Sequence, residues 1–291
     1  MNQSVVDQQH APASDVAHPS ALPDAAHLQV AALQMVSAPD LDHNLLRAEA
    51  LIAEAAGLGA QLISLPEYFC LLGWRDTDKV ALREDFGHGP IQSFLSEMAK
   101  RHQVWLAGGT IPLQCEDARR VRNSQLMIDP QGRVLARYDK IHLFGFHKGA
   151  ERFTESDTIQ AGSSPVLCDL GPWRLGLSIC YDLRFPELYR RLAPVDLLLV
   201  PSAFTYTTGQ AHWEVLLRAR AIENQCYVLA AAQGGEHPNG RRTWGHSMII
   251  DPWGEVLGQQ AQGEAVVIAR LDRTRIGEVR GMLPALAHRV L

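Results

Sequence analysis

The chain has 291 residues, 46% of them hydrophobic, and a formal net charge of -5, so it can fill a large core in one or two domains and offers no electrostatic reason for nucleic acid to bind. No apolar run reaches the roughly 18 residues of a membrane span, and no basic region followed by an apolar stretch suggests a secretory signal. The five cysteines are widely spaced and include no CxxC pair, which points to reduced thiols in a cytoplasm rather than a disulfide scaffold.

Residues 1–26 are rich in Ala, Pro, His, Asp, Gln and Ser without periodicity and read as a flexible tail, leaving residues 27–291 as the ordered domain. A strand is expected over 28–35, a helix over 42–58 and a short strand over 62–65 that runs into Pro66-Glu67-Tyr68-Phe69. Residues 90–102 read as a helix and 104–108 as a strand. The runs 123–129 and 134–138 flank Pro130-Gln131-Gly132, the signature of a hairpin turn. A strand over 173–179, with Leu175, Leu177 and Ile179 alternating with polar or small residues, gives way to a helix over 185–192, with Pro186 suited to its first turn. Further strands fall at 196–200, 226–232, 247–251, 255–258 and 265–270, with a helix at 212–224. So many strands alternating with amphipathic helices imply two sheets face to face, covered by helices.

Cys180 sits at the strand-to-helix elbow, where a side chain can project into a cleft beside backbone N–H groups that favour an anion. A thiol there is a candidate nucleophile if something takes its proton. Two other polar residues stand at the ends of apolar runs, Glu67 and Lys140. Each alone has a plainer reading. A Glu after a strand is usually a solvated loop residue, a Lys a surface group, and a Cys a small buried hydrophobe.

Taken together, Leu65-Pro66-Glu67-Tyr68-Phe69, Tyr138-Asp139-Lys140-Ile141-His142-Leu143-Phe144 and Cys180-Tyr181-Asp182-Leu183-Arg184-Phe185-Pro186-Glu187 resemble the nitrilase superfamily of carbon–nitrogen hydrolases. The likeness continues through Pro201-Ser202-Ala203-Phe204, His212-Trp213 and Arg220-Ala221-Ile222-Glu223-Asn224, and runs from about residue 28 to about residue 271. It implies a four-layer α-β-β-α sandwich and a homodimer, for which the helices after Phe185 and His212 are the expected interface. It implies Cys180 as nucleophile, Glu67 as proton shuttle and Lys140 beside the oxyanion, with the Tyr181 backbone N–H as second donor. Lys140 is also expected to favour the thiolate, and a buried Glu67 to have a raised pKa. A second glutamate is expected after the lysine segment. Glu155 is preferred to Glu151 because Phe-x-Glu-Ser resembles the family stretch, and its role would be to orient Lys140 or the substrate amide.

Tyr181-Asp182 after the nucleophile departs from the Cys-Trp-Glu of true nitrilases and looks like the Nit-type amidases. The expectation is hydrolysis of a small linear amide through a thioester, with release of ammonia and no cofactor. Deaminated glutathione is favoured as substrate over α-ketoglutaramate, and N-carbamoyl amino acids are a further option. Phe204, Thr207 and Thr208 are expected in the loop after the strand ending at Val200, lining the substrate pocket. A catalytically silent dimerisation scaffold is the rival from another class, and acyl transfer to an amine a second rival. His142 and His147 lack a third ligand at zinc spacing, so no metal is expected and His142 is read as holding the Lys140 loop. Arg184 and Glu187 are read as an ion pair or interface contact. Trp213, Leu216, Leu217 and Arg220 are read as a packing stripe, against the core or a second subunit.

Overall fold

The computed structural model describes residues 24–149 and 151–290. The tail expected over 1–26 lies outside the described residues as far as 23. Its last residues are anchored: Trp173 Nε1 donates to the Asp24 carbonyl at 3.1 Å, and Arg273 N to that of Ala26 at 2.8 Å.

In chain order, β1 (His27–Gln34), α1 (Leu41–Gly57) and β2 (Leu62–Ser64) are followed by the short α2 (Asp78–Ala81) and by α3 (Pro90–His102). Then come β3 (Trp105–Ala107), β4 (Ile111–Leu113), β5 (Arg122–Ile128), β6 (Val134–Asp139) and a hairpin of β7 (Gly145–Lys148) and β8 (Glu151–Thr154). The second half supplies β9 (Val166–Leu170), β10 (Trp173–Leu177), α4 (Pro186–Leu192), β11 (Leu197–Leu199), α5 (Tyr206–Asn224) and β12 (Tyr227–Ala230). It ends with β13 (Ser247–Ile250), β14 (Val256–Gln260), β15 (Ala265–Asp272) and α6 (Arg273–Met282).

One sheet has the order β15-β1-β2-β3-β5-β4, with β6 also paired to β5; the other runs β14-β13-β12-β11-β10-β9. β1, β2 and β3 are mutually parallel, as are β10, β11 and β12. Side-chain alternation sorts the layers. Leu28, Val30 and Ala32 of β1, with Leu62 and Trp105, pack against Leu175 and Leu177 of β10 between the sheets. The intervening Ala31, Leu33, Ile63 and Leu106 meet Ile52 of α1 and Leu95 of α3. Beyond the second sheet, Leu188 of α4 and Trp213 and Leu217 of α5 complete an α-β-β-α sandwich. β1 is buried on both faces, so it reads as a continuous apolar run rather than an alternation. No helix of the described residues is long and apolar enough to cross a membrane.

One difference from the sequence-based expectation bears on function. α5 begins at Tyr206 rather than at residue 212, because Thr205 caps it by accepting from Thr208 N at 3.4 Å. Thr207 and Thr208 therefore stand in the first turn of α5, not in a loop; only Phe204 remains in the connection. The Trp213, Leu217 and Arg220 stripe packs inside the chain, against the second sheet and the Cys180 elbow. The helix α6 and the strands β4, β7, β8 and β9 had no signal in the sequence reading. Only Ile276 and Val279 of α6 are buried, which leaves no apolar stripe to detect.

Close backbone approach holds the loop that carries Glu67. Gly109 has φ +57°, and a Cβ there would lie 2.2 Å from the Pro66 carbonyl oxygen. Gly109→Ala is expected to cost about 3 kcal/mol, from the left-handed backbone and the forced displacement together. It should also lower activity by shifting Glu67; urea unfolding and kinetics on the same preparation check both.

Candidate active site

Cys180 follows β10 in the left-handed region, at φ +47°, and opens a single turn of 3₁₀ helix, Cys180–Arg184. Local strain of this kind persists only where the surroundings over-determine it. Here its N–H donates to Pro201 O at 3.0 Å. Two residues on, the fully buried Asp182 carboxylate accepts from Ile179 N at 2.8 Å, Tyr138 OH at 2.7 Å and His142 N at 3.0 Å. The His142 ring bonds the same carboxylate at 2.7 Å and stacks on Phe185 at 3.7 Å, which ties the loop after β6 to the elbow. Arg220 of α5 fastens the far side, donating through Nε and Nη2 to Leu183 O at 3.1 and 2.7 Å.

Glu67 arrives from the end of β2 and Lys140 from the end of β6. Lys140 Nζ lies 2.9 Å from Glu67 Oε1 and 2.9 and 2.8 Å from the two oxygens of Glu155. Glu67 is further held by Asn123 Nδ2 on Oε1 at 2.9 Å and by Ala203 N on Oε2 at 3.0 Å. Glu155 also accepts from Tyr68 OH at 3.0 Å and Phe144 N at 2.7 Å. Glu151, the other glutamate considered, falls in β8, in register with Lys148. Tyr68 and Ala203 lie in stretches that carry the family likeness but have no role assigned from sequence, and Asn123, at the start of a strand, has no local signal at all.

Glu67 and Lys140 are each 1% exposed and Cys180 is 7% exposed, so the electrostatics are those of a low-dielectric site. Burial raises the Glu67 pKa above its ordinary value; Lys140 pulls it down and Glu155 pushes it up. Burial pulls the Lys140 pKa down, but Glu155 and Glu67 overcome it and hold the ammonium well above its usual range. Burial and then Glu67 push the Cys180 thiol well up, against the opposing pull of Lys140. Lys140 thus favours the thiolate, as expected, but burial and Glu67 outweigh it. The negative charge of Glu67 and Glu155 beside the sulfur opposes a second anion there, and Lys140 offsets it only in part.

The cluster opens into a cavity of about 430 Å³. Tyr181, Phe204, Thr207 and Thr208 line it, together with Phe144 and Phe153. The Tyr181 N–H lies in the first turn after Cys180, where helical N–H groups lack intrahelical acceptors. Arg184 also faces this space, its guanidinium 5.9 Å from the Tyr181 ring and 5.4 Å from that of Phe204. No ion pair joins it to Glu187 among the described residues, because the exposed Glu187 stands at the start of α4, away from the cavity lining. Lys79, Arg241 and Arg242 bring further positive charge to the wall. Among the described residues no group of three or more His, Cys, Asp or Glu is arranged to hold a metal.

A family model described as carbon-nitrogen hydrolase matches residues 29–281. A Synechocystis sp. protein named deaminated glutathione amidase is 46% identical over 266 residues, covering 89% of this chain and 97% of that one. The crystal structure of the Caenorhabditis elegans NitFhit protein superposes with a TM-score of 0.82 at 39% identity, over 91% of this chain and 65% of that one. An amidase variant from Nesterenkonia sp. AN1, showing covalent addition of the acetamide moiety of fluoroacetamide at its active site cysteine, matches at TM-score 0.77 and 26% identity, over 92% of this chain and 96% of that one.

Proposed function

Since the chain belongs to the carbon–nitrogen hydrolase family, we propose that it cleaves deaminated glutathione through a thioester on Cys180. The observation that carries this reading is the Cys180 elbow buried against the Glu67–Lys140–Glu155 cluster at the floor of a cavity.

Glu67 accepts the thiol proton as Sγ bonds to the amide carbon. The carbonyl oxygen becomes an anion beside Lys140 Nζ and the Tyr181 N–H. As the tetrahedral species collapses, the C–N bond breaks and Glu67 protonates the departing amine. Glu67 then takes a proton from water as the water oxygen attacks the thioester, and returns a proton to sulfur as the acid leaves. Glu155 holds Lys140 in place, and Asn123 and Ala203 N hold the Glu67 carboxylate.

The cavity volume is that of a small-molecule site, and its cationic wall suits a substrate bearing carboxylates. Deaminated glutathione carries one at each end. Its scissile bond is the former γ-amide, so the amine expelled is cysteinylglycine. Ammonia, the product expected from sequence, would leave from a primary amide such as α-ketoglutaramate and not from deaminated glutathione. Kinetics on deaminated glutathione, α-ketoglutaramate, an N-carbamoyl amino acid and a simple nitrile test the reading. A higher kcat/KM for α-ketoglutaramate than for deaminated glutathione would replace it with ω-amidase activity. The proposal extends to a homodimer in the cytoplasm, supported by the exposed Val215 and Ile222 on α5 near Trp253 and by the unpaired cysteines; light scattering tests the assembly.

Activity needs Glu67 ionised, and its pKa is raised, so kcat/KM should fall with acid at a pH above the ordinary glutamate value of 4.5. Glu155 contributes to that rise, so Glu155→Gln should move the acid limb downward while reducing kcat. A limb that stays in place would separate Glu155 from Glu67 electrostatically.

A further inference from the structure

Four cationic side chains line the cavity, and their surroundings differ. Arg241 is paired with Asp76. Lys79 Nζ donates to Thr158 Oγ1 at 3.2 Å and faces Asp76 and Glu155. Arg184 lies over Tyr181, beside Cys180. Arg242 is exposed, lies with its guanidinium carbon 3.6 Å from the centre of the Tyr206 ring, and has no acidic partner among the described residues. A cation held flat on an aromatic face is positioned while its outer N–H groups stay available.

We propose that Arg242, seated on Tyr206, is a specificity-determining residue that receives the terminal carboxylate of the leaving amine. The proposal rests on the amide-hydrolase reading above and deepens it: the preferred amine would be a short peptide or amino acid with a free carboxylate.

Reach supports the assignment. Glu67, which protonates the amine, bonds Ala203 N, and Tyr206 is three residues further on, its N–H donating to Arg242 O at 3.1 Å. Three residues span at most about 10 Å, and the two residues of a dipeptide amine span about 7 Å from the scissile nitrogen to the carboxylate. Thr205 also forms a bridge with Thr243, so the segment carrying Arg242 is held beside the N-terminus of α5. An amine leaving from Cys180 along this wall would bring its carboxylate to Arg242.

The test compares deaminated glutathione with its form carrying a C-terminal glycinamide, in the unaltered protein and in Arg242→Gln. The unaltered protein should favour the acid about tenfold in kcat/KM, through KM, and Arg242→Gln should erase that preference by raising KM for the acid far more than for the amide. Equal use of acid and amide by the unaltered protein, or an equal loss on all substrates in the variant, overturns the proposal. If deaminated glutathione is not cut while α-ketoglutaramate is, the function proposed above falls. The acid and amide forms then serve as inhibitors of that turnover, and equal inhibition overturns the role of Arg242 separately.

Discussion

Cys180→Ala is expected to lower kcat by about six orders of magnitude and to leave the fold in place. The loss is large because the covalent route through the thioester is removed, and water activated by Glu67 is a poorer nucleophile that the site does not hold against the amide carbon. Stability should change little. Alanine keeps the Cβ that already tolerates φ +47° at this position, and only the sulfur is removed from a site that opens onto the cavity. Product release by chromatography, with circular dichroism on the same sample, reads both quantities. A variant that loses secondary structure would make Cys180 a packing residue. The raised thiol pKa adds a kinetic signature: iodoacetamide should alkylate Cys180 slowly at neutral pH, and faster as pH rises.

Lys140→Met should be costly in two ways. Loss of an oxyanion donor typically lowers kcat roughly 10²–10³-fold. In addition, Glu67 and Glu155 would face each other in a buried site without the ammonium that sits 2.9 and 2.8 Å from them. Removing one partner from a buried ion cluster costs about 3–5 kcal/mol. Lys140→Met combined with Glu155→Gln should recover part of that stability and none of the activity. Urea denaturation of the single and double variants measures the coupling, and recovery of turnover in the double variant would exclude Lys140 from oxyanion stabilisation.

Much of the fold can be read along the chain where burial is one-sided or where a turn has its own chemistry. The helix over 90–102 is marked by Pro90 at its start and a basic last turn, and the hairpin at Pro130-Gln131-Gly132 by its turn residues. β7 and β8 lack such marks. They form a two-stranded hairpin outside both large sheets, and the charged and small residues of Gly145–Lys148 do not alternate in hydrophobicity. α5 starts earlier than periodicity suggests because Thr207, Thr208 and Gly209 are weak helix formers; the Thr205 side-chain cap and the close packing of Gly209 against Trp244 decide otherwise.

The chain by itself determined the strand-to-helix elbow at Cys180, the apolar runs that end at Glu67 and Lys140, and membership of a family that such motifs identify. Each is a local pattern, carried by side-chain periodicity and turn residues within a dozen positions. Tertiary structure alone decided which groups meet: Glu67 with Lys140, Asn123 and Ala203, Glu155 with Lys140 and Tyr68, and Arg242 with the cavity. It also decided the direction in which the Cys180 pKa moves, upward through burial and Glu67. These outcomes depend on the packing of two sheets and on the summed field of charges from distant segments, and neither quantity has a period or a spacing in the sequence.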